Sequence, residues 1–491
     1  MKEWTEKELY RILNNPDEIS EMHEKVVNSE YRQSYHIQPI TGLLNDPNGF
    51  IFRNGIWHLF YQWCPWGAVH GMKHWYHVVS EDLVNWKNMG LAIRPDTEYD
   101  NKGVFSGSAI EISDAVYLFY TGNHIDDDGT RIPYTCAAEF KNDGQISKLS
   151  EPIFAPSSDF TDNQRDPKII YNEKFDKYYL IIGARSFDEK GVCLVYQSES
   201  LLADWKFAGR LKVTGYEDFG GMWECPSIER ICGRDVLFFC PQYLKLEGRG
   251  NVTNHNIYII GEMNWENLTF TPIGDFNVFD FGFDFYAAQC AANIKNDDKA
   301  FLMAWMGLPA SVYPTDVDEW SGCLSLPREL TIHKDRLIQK PIEQLESLRS
   351  KEISADEIMD GHEKFAGAIE MSVDVAGGDF EIKLFTDLSG KGGLSIKYND
   401  KFKKITADKS GLKRRFNTDF GEVREHFIEN TLLHLGIFID TSSVEIFVNG
   451  GEAVFTSRVF PTDDEVSFTI TPNGTVKLWR LKEISDNTFV V

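Results

Sequence analysis

Five short apolar segments recur along the middle of the chain: WHLFYQ (57–62), VYLFYT (116–121), YYLIIG (178–183), DVLFFC (235–240) and AFLMAW (300–305). Aligned on Leu59, Leu118, Leu180, Leu237 and Leu302, they stand 59, 62, 57 and 65 residues apart. Clusters of Gly, Asn, Asp and Pro separate them, so each reads as a strand bounded by turns. A repeat this long does not fit a solenoid coil; it fits a blade of four strands with long loops. The chain is therefore predicted to be all-β, with a five-bladed β-propeller over residues 31–335.

The two ends read differently. Residues 1–30 form an N-terminal helical extension packed on the main body. Leu9, Ile12, Leu13, Ile19, Met22 and Val26 follow helical spacing, with a break at Asn15-Pro16. Residues 336–356 form a charged linker. Residues 357–491 carry short alternating strands without a helical interlude, which predicts a C-terminal β-sandwich. Within it, Asn449-Gly450 between EIFV and EAVF is a hairpin signal.

Composition narrows the partners. The chain has 50 basic and 75 acidic residues, a net charge of −25. Such a chain is a poor non-specific binder of nucleic acid or anionic lipid, so neither a nucleic acid nor a membrane is expected as partner. An anionic ligand would need a local basic site. The eight cysteines show no CxxC spacing and read as buried thiols of a reducing compartment. The opening MKEWTEKELYRIL lacks a signal-peptide pattern, which predicts a cytoplasmic protein. No His/Cys/Asp set has zinc spacing, and no cofactor is expected. A homo-oligomer stays open.

The chemistry-bearing residues stand just upstream of the repeated strands, in LLNDPNGF (43–50), FSGSAIE (105–111), RDPKII (165–170), ECPSIE (224–229) and DFYAAQ (284–289). Counted back from the repeat leucines, Asp46 lies 13 residues before, Ser106 12, Asp166 14 and Glu224 13. Asp46, Asp166 and Glu224 thus read as equivalent positions of three blades, converging at one mouth of the central channel. Carboxylates crowded in a cleft split their pKa values, leaving one protonated and others ionised. Cleaving a glycosidic bond requires that division. Each motif alone is weaker: NDPNG is also a turn sequence, Arg165-Asp166 could be a structural ion pair, and Glu224 a buried, satisfied acid.

These motifs, in this order and spacing, resemble glycoside hydrolase family 32, the β-fructofuranosidases. GAVHGMKHW (67–75), WMGLPASVYPTD (305–316), LSLPREL (324–330) and EIFVNGGEAVFTSRVFP (445–461) are most similar to its bacterial sucrose-6-phosphate hydrolases. The resemblance covers residue 36 to the C-terminus and implies a propeller followed by a sandwich. It implies Asp46 as nucleophile, Glu224 as acid/base and Asp166 as transition-state stabiliser, in a retaining mechanism through a covalent fructosyl-enzyme acting on sucrose or sucrose 6-phosphate. It implies that Asn45, Gln62, Phe105, Ser106, Arg165, Tyr286 and Trp305 line the fructose pocket. His70 joins them where many members carry Trp, and His74 and His77 read as structural hydrogen-bonders. Alternatives are a fructan or fructooligosaccharide exo-hydrolase or a fructosyltransferase on the same scaffold, or a non-catalytic sugar-binding propeller. Lys73, Lys245 and Arg249 are the candidate phosphate-binding residues.

Overall fold

The computed structural model describes residues 3–472 and 474–491. The repeated segments are the second strands of five sheets: Ile56–Cys64, Ala115–Ile125, Lys177–Arg185, Arg234–Gln242 and Ala300–Trp305. Each pairs antiparallel with an inner strand, respectively Gly42–Arg53, Val104–Ile112, Gln164–Asn172, Met222–Ile231 and Tyr286–Cys290. The inner strands pack in order, and the fifth returns to the first. Hydrogen bonds close this five-bladed ring. Trp320–Ser321 runs parallel to Gly42–Leu43, and the Ala292 N–H donates to the Phe50 carbonyl at 2.8 Å.

The second strands stand out in the sequence because both of their faces are covered. Consecutive residues such as Leu59 and Phe60, or Leu118 and Phe119, point to opposite faces and are all buried. Phe60, Trp75 and Leu118 share one apolar cluster, Phe119, Leu180 and Ile182 another. A strand packed between two neighbours has no polar side to show.

The C-terminal part is a β-sandwich. A six-stranded sheet, whose central members are Ile369–Asp374, His434–Asp440 and Ser443–Val448, faces a five-stranded sheet built around Phe380–Thr386 and Gly393–Asn399. The expected hairpin is present: Val448 pairs with Ala453, and Asn449 and Gly450 turn the chain at φ 49° and 69°.

Two segments differ from expectation. Residues 336–356 are not a linker. Arg336–Pro341 is the outer strand of the fifth blade, and Arg349–Ile353 is an edge strand of the sandwich. Their charges lie on sheet edges, where polar side chains meet water. The N-terminal helix is also shorter than its apolar spacing suggested. Helices cover Glu6–Leu9 and, after a 3-10 turn at Pro16–Ile19 capped by Asn15, Ser20–Val27. Between them the chain is a strap across the first blade. The carbonyls of Leu9, Arg11 and Leu13 accept from Met72 N–H (2.8 Å), Trp66 Nε1 (2.6 Å) and Arg94 Nη1 (3.2 Å). Carbonyls bonded to the blade are not available to a helix.

Buried charge fastens the sandwich to the propeller. Arg328, in the fifth blade, donates through Nη2 to Asp280 (3.0 Å), Glu445 (2.7 Å) and Thr456 (2.6 Å), and through Nη1 to Gln339 (3.0 Å). Glu445 and Thr456 belong to the sandwich. Nearby, the ring of His36 lies 2.7 Å from Asp440 and 3.4 Å from Glu445. Burial opposes an imidazolium there, but hydrogen bonds to the two carboxylates outweigh it and raise the His36 pKa to about 9. Asp440 and Glu445 are correspondingly lowered despite their burial.

Two expectations follow for stability. Arg328→Met takes the paired guanidinium from buried Asp280 and leaves Glu445 with His36 alone, and should cost roughly 3–5 kcal/mol in urea unfolding; a loss near that of a surface substitution would contradict the role of Arg328. His36 keeps its proton in the fold up to about pH 9, against an ordinary value of 6.5. Its stabilisation is whole below 6.5 and is lost as the pH rises through 9. Urea midpoints should decline across that window, and His36→Gln should flatten the decline. An equal decline in the variant would assign it to another group.

Candidate active site

Every inner strand breaks register at one level. Two of its residues face one residue of the second strand: Asn45 and Asp46 opposite Gln62, Phe105 and Ser106 opposite Thr121, Asp166 and Pro167 opposite Ile182. Cys225 and Pro226 face Phe239, and Ala287 and Ala288 face Ala304. A bulge of this kind bends the strand and re-aims its side chains. Asp166, Cys225 and Ala287 take left-handed φ values of 68°, 47° and 52°, conformations that non-glycine residues adopt only when the surroundings impose them.

The bulges correct the phase expected from the repeat. Asp46 is the second unpaired residue of its bulge, Asp166 the first, and Glu224 the last paired residue before one. The three carboxylates are therefore not at equivalent positions, but staggered by a residue each. The first blade carries a second irregularity between Asn48 and Ile51, which lengthens the count back to Asp46. Despite the stagger, all three line one cavity of about 270 Å³ at the channel mouth.

Each carboxylate is held differently. Asp46 accepts from Ser106 Oγ at 2.6 Å and Asn45 Nδ2 at 3.1 Å. Gln62 Nε2 donates to Ser106 Oγ (2.5 Å), and Gln62 Oε1 accepts from Asn45 Nδ2 (3.0 Å). Lys73 Nζ donates to Asn45 Oδ1 at 2.6 Å. An ammonium only donates, so Lys73 orients the Asn45 amide with its NH2 toward Asp46. Glu224 Oε1 accepts from Arg165 Nε (3.1 Å) and Nη2 (2.8 Å). Its Oε2 accepts from Gln242 Nε2 (2.6 Å) and the Tyr286 hydroxyl (2.5 Å). Asp166 donates its N–H to Thr121 Oγ1 and accepts the Cys225 N–H at Oδ2, both at 2.9 Å.

Burial raises the Asp46 pKa, reinforced by the charge of Glu224 and opposed by the Ser106 and Asn45 hydrogen bonds. Burial also dominates at Asp166. The Arg165 guanidinium opposes it, Glu224 and Asp46 reinforce it, and the pKa rises to about 7. Near neutrality the trio can thus hold a proton beside ionised carboxylates, as general acid chemistry requires.

Asn45, Gln62, His70, Phe105, Arg165, Tyr286 and Trp305 line the same cavity, and Ser106 touches it through Asp46. His70 stands at the exposed rim, edge-on to Trp305 at 6.0 Å. His74 and His77 are buried in the first blade, His77 stacked on Phe60 at 4.4 Å. The phosphate candidates do not gather. Lys73 is at the cavity wall but buried and committed to Asn45, and burial lowers its pKa to about 8. Lys245 and Arg249 lie outside the lining, on a loop that Asn251 ties to the sandwich by a 2.8 Å bond to the Asp419 carbonyl. Sequence reasoning missed Gln242 and Tyr10, both on the cavity wall. Tyr10 is carried there by the N-terminal strap. A Cβ on Gly71 would lie 2.5 Å from the Leu9 carbonyl, so Gly71 permits the strap to sit directly on the His70–Lys73 loop. Among the described residues, no three His, Cys, Asp or Glu side chains gather as a metal-holding group.

Residues 36–341 match the glycosyl hydrolases family 32 N-terminal domain, and residues 335–485 the family 32 C-terminal domain. The chain is 39% identical over 480 residues to a sucrose-6-phosphate hydrolase of Staphylococcus xylosus, covering 95% of each chain. It is 35% identical to one of Vibrio alginolyticus, covering 98% of this chain and 97% of that one. Among solved structures it superposes on the sucrose-6-phosphate hydrolase from Lactobacillus gasseri with a TM-score of 0.90, 33% identity and coverage of 98% and 100%. A Bombyx mori GH32 β-fructofuranosidase variant in complex with sucrose gives 0.81, 29% identity and coverage of 96% and 100%.

The carboxylate trio can be titrated without any substrate. The infrared difference between the wild type and Asp166→Asn should contain a protonated-carboxyl band with a midpoint at about pH 7. A band that titrates only in the ordinary carboxylate range would refute the shift at Asp166.

Proposed function

The chain belongs to glycosyl hydrolase family 32, and from that premise we propose that it hydrolyses the β-fructofuranosyl bond of sucrose 6-phosphate and of sucrose through a covalent fructosyl-enzyme. The observation that carries this reading is the pairing of two differently held acids across one small cavity. Asp46 is aligned by Ser106 and Asn45, and Glu224 is gripped by Arg165, Gln242 and Tyr286.

In the first half-reaction Glu224 gives its proton to the bridging oxygen as the bond to C2 breaks. Asp46 attacks C2 and forms an ester. In the second, Glu224 takes a proton from water, the water oxygen attacks C2, and Asp46 leaves. Two displacements at one carbon retain its configuration. Asp166 accepts hydrogen bonds from fructosyl hydroxyls, contacts that strengthen as positive charge develops on the ring. Lys73 acts through Asn45 as a positioning residue for Asp46. The relatives named sucrose-6-phosphate hydrolases span nearly the whole chain and support the substrate assignment. We place the enzyme in the cytoplasm, which suits eight unpaired cysteines, six of them buried.

Asp46→Asn keeps the size of the side chain and should abolish turnover of both sugars. Glu224→Gln should lower kcat by roughly 10²–10⁴-fold through the lost acid alone. Peptide mapping after acid quench should find the fructosyl ester on Asp46. An adduct on another residue, or wild-type turnover in either variant, would overturn the division of roles.

A further inference from the structure

Two cations that were not nominated from the sequence, Arg131 and Lys102, stand next to aromatic residues of the cavity lining. Arg131 opens the third strand of the second blade (Arg131–Phe140). Its Nε donates to Asn123 Oδ1 at 2.7 Å. Asn123 is itself buried and fixed, with Nδ2 donating to the Lys102 carbonyl at 3.1 Å and its own carbonyl accepting the Lys102 N–H at 2.9 Å. One buried amide thus holds the guanidinium and the Lys102 backbone together. The guanidinium stands 5.7 Å from the ring of Phe105, which lines the catalytic cavity. Among the described residues, no hydrogen bond or ion pair engages Nη1 or Nη2.

Two more donors lie beside the cavity lining or within it. Lys102 Nζ lies 4.8 Å from the ring of Tyr10, and Tyr10 lines the cavity. The Tyr10 hydroxyl has no hydrogen-bond partner among the described residues. Lys102 has one carboxylate nearby, Glu6 at 3.4 Å, whose side chain is 78% exposed. Arg131 and Lys102 are not in the lining themselves, but each stands beside residues that are, Arg131 next to Phe105, Arg165 and Asp166 and Lys102 next to Tyr10, in a chain of net charge −25. Burial and the neighbouring Arg165 work against the Arg131 charge, and Asp162 and Asp166 offset only part of that.

We propose that Arg131, with Lys102 and Tyr10, binds the phosphate monoester of the substrate's leaving half and so reads the phosphorylated sugar. The fork offers two parallel N–H donors to two phosphate oxygens, the geometry in which arginine binds phosphate best. Lys102 adds a point charge, and Tyr10 a single O–H. This assignment rests on the proposed substrate reading and replaces Lys73, Lys245 and Arg249 in that role.

The measurement is the ratio of kcat/KM on sucrose 6-phosphate to kcat/KM on sucrose, for the wild type and for Arg131→Gln, Arg131→Lys, Lys102→Gln and Tyr10→Phe. Arg131→Gln should lower the ratio roughly ten- to hundredfold, the worth of a charge-assisted hydrogen bond. Arg131→Lys should fall between, because it keeps charge and loses the fork. Lys102→Gln and Tyr10→Phe should lower the ratio by smaller factors, and they decide the matter if Arg131→Gln does not fold. Inhibition by glucose 6-phosphate should weaken in parallel, with inhibition by glucose as the reference. A ratio unchanged in every variant, with the wild type still preferring the phosphorylated sugar, overturns the phosphate site and leaves the substrate reading standing. A wild type with no preference overturns both, while a fructosyl ester on Asp46 would still hold the hydrolase reading.

Discussion

The extra residue in each inner strand is the constraint on which the site depends. A regular strand alternates its side chains between the faces of a blade, and the bulge sets further residues beside the last paired ones, such as Glu224, at the level of the cavity. Five bulges at one level release ten residues from that alternation. The cost is local: Asp166, Cys225 and Ala287 are held in left-handed backbone, at roughly 1–3 kcal/mol each. Bonds between neighbouring blades over-determine these conformations. Asp166 N–H is taken by Thr121 of the second blade, and Asp166 Oδ2 receives the Cys225 N–H of the fourth. Ser106 bonds back to Asp46, and Tyr286 and Arg165 reach Glu224 from either side. The strain and the hydrogen bonds that hold the three carboxylates are one network, so the ring must close before the site exists.

What was legible in the sequence follows from burial. The second strands announced the repeat because they are apolar on both faces, and Leu59, Leu118, Leu180, Leu237 and Leu302 are all fully buried. The motifs upstream of them marked residues that the fold gathers around one cavity, but at the wrong phase. A bulge adds a residue without a residue type of its own, so the stagger of Asp46, Asp166 and Glu224 left no mark in the spacing. The charged run at 336–356 read as a linker because edge strands carry solvent-facing charge as linkers do. The strap at Tyr10–Asn14 read as helix because its apolar residues suit either state, and the donors that claim its carbonyls are more than fifty residues away at Trp66, Met72 and Arg94. Tyr10 and Gln242 lie outside every repeated motif, and only the folded chain brings them to the cavity.

The sandwich has no residue in the cavity lining, but its position is set by side chains as exact in their bonding as those of the site. Asp280 and Asp284 flank the approach to the fifth inner strand, and both are held by the sandwich strand Ala453–Arg458. Thr456 donates to Asp280 through N and Oγ1, and Arg458 N–H donates to Asp284. Two residues beyond Asp284, Tyr286 bonds Glu224. The seam therefore buttresses the strand that presents a partner of Glu224. Its fully buried ions favour one docking geometry over others, since a misplaced sandwich would leave Arg328 or Glu445 without a partner.

The outer strand of the first blade, Lys87–Ile93, receives its edge bonds from the far end of the chain. Asn88 bonds to Asp486, 398 residues on, and in the strand beside it, His74–Ser80, the Tyr76 hydroxyl donates to the Val490 carbonyl. Synthesis delivers the first blade long before the segment that covers it. Until then its edge is an open template for pairing with other strands. The first blade is thus the earliest of the five to be made and among the last to be finished, and the growing chain carries that exposed edge until the segment around Asp486 has been added.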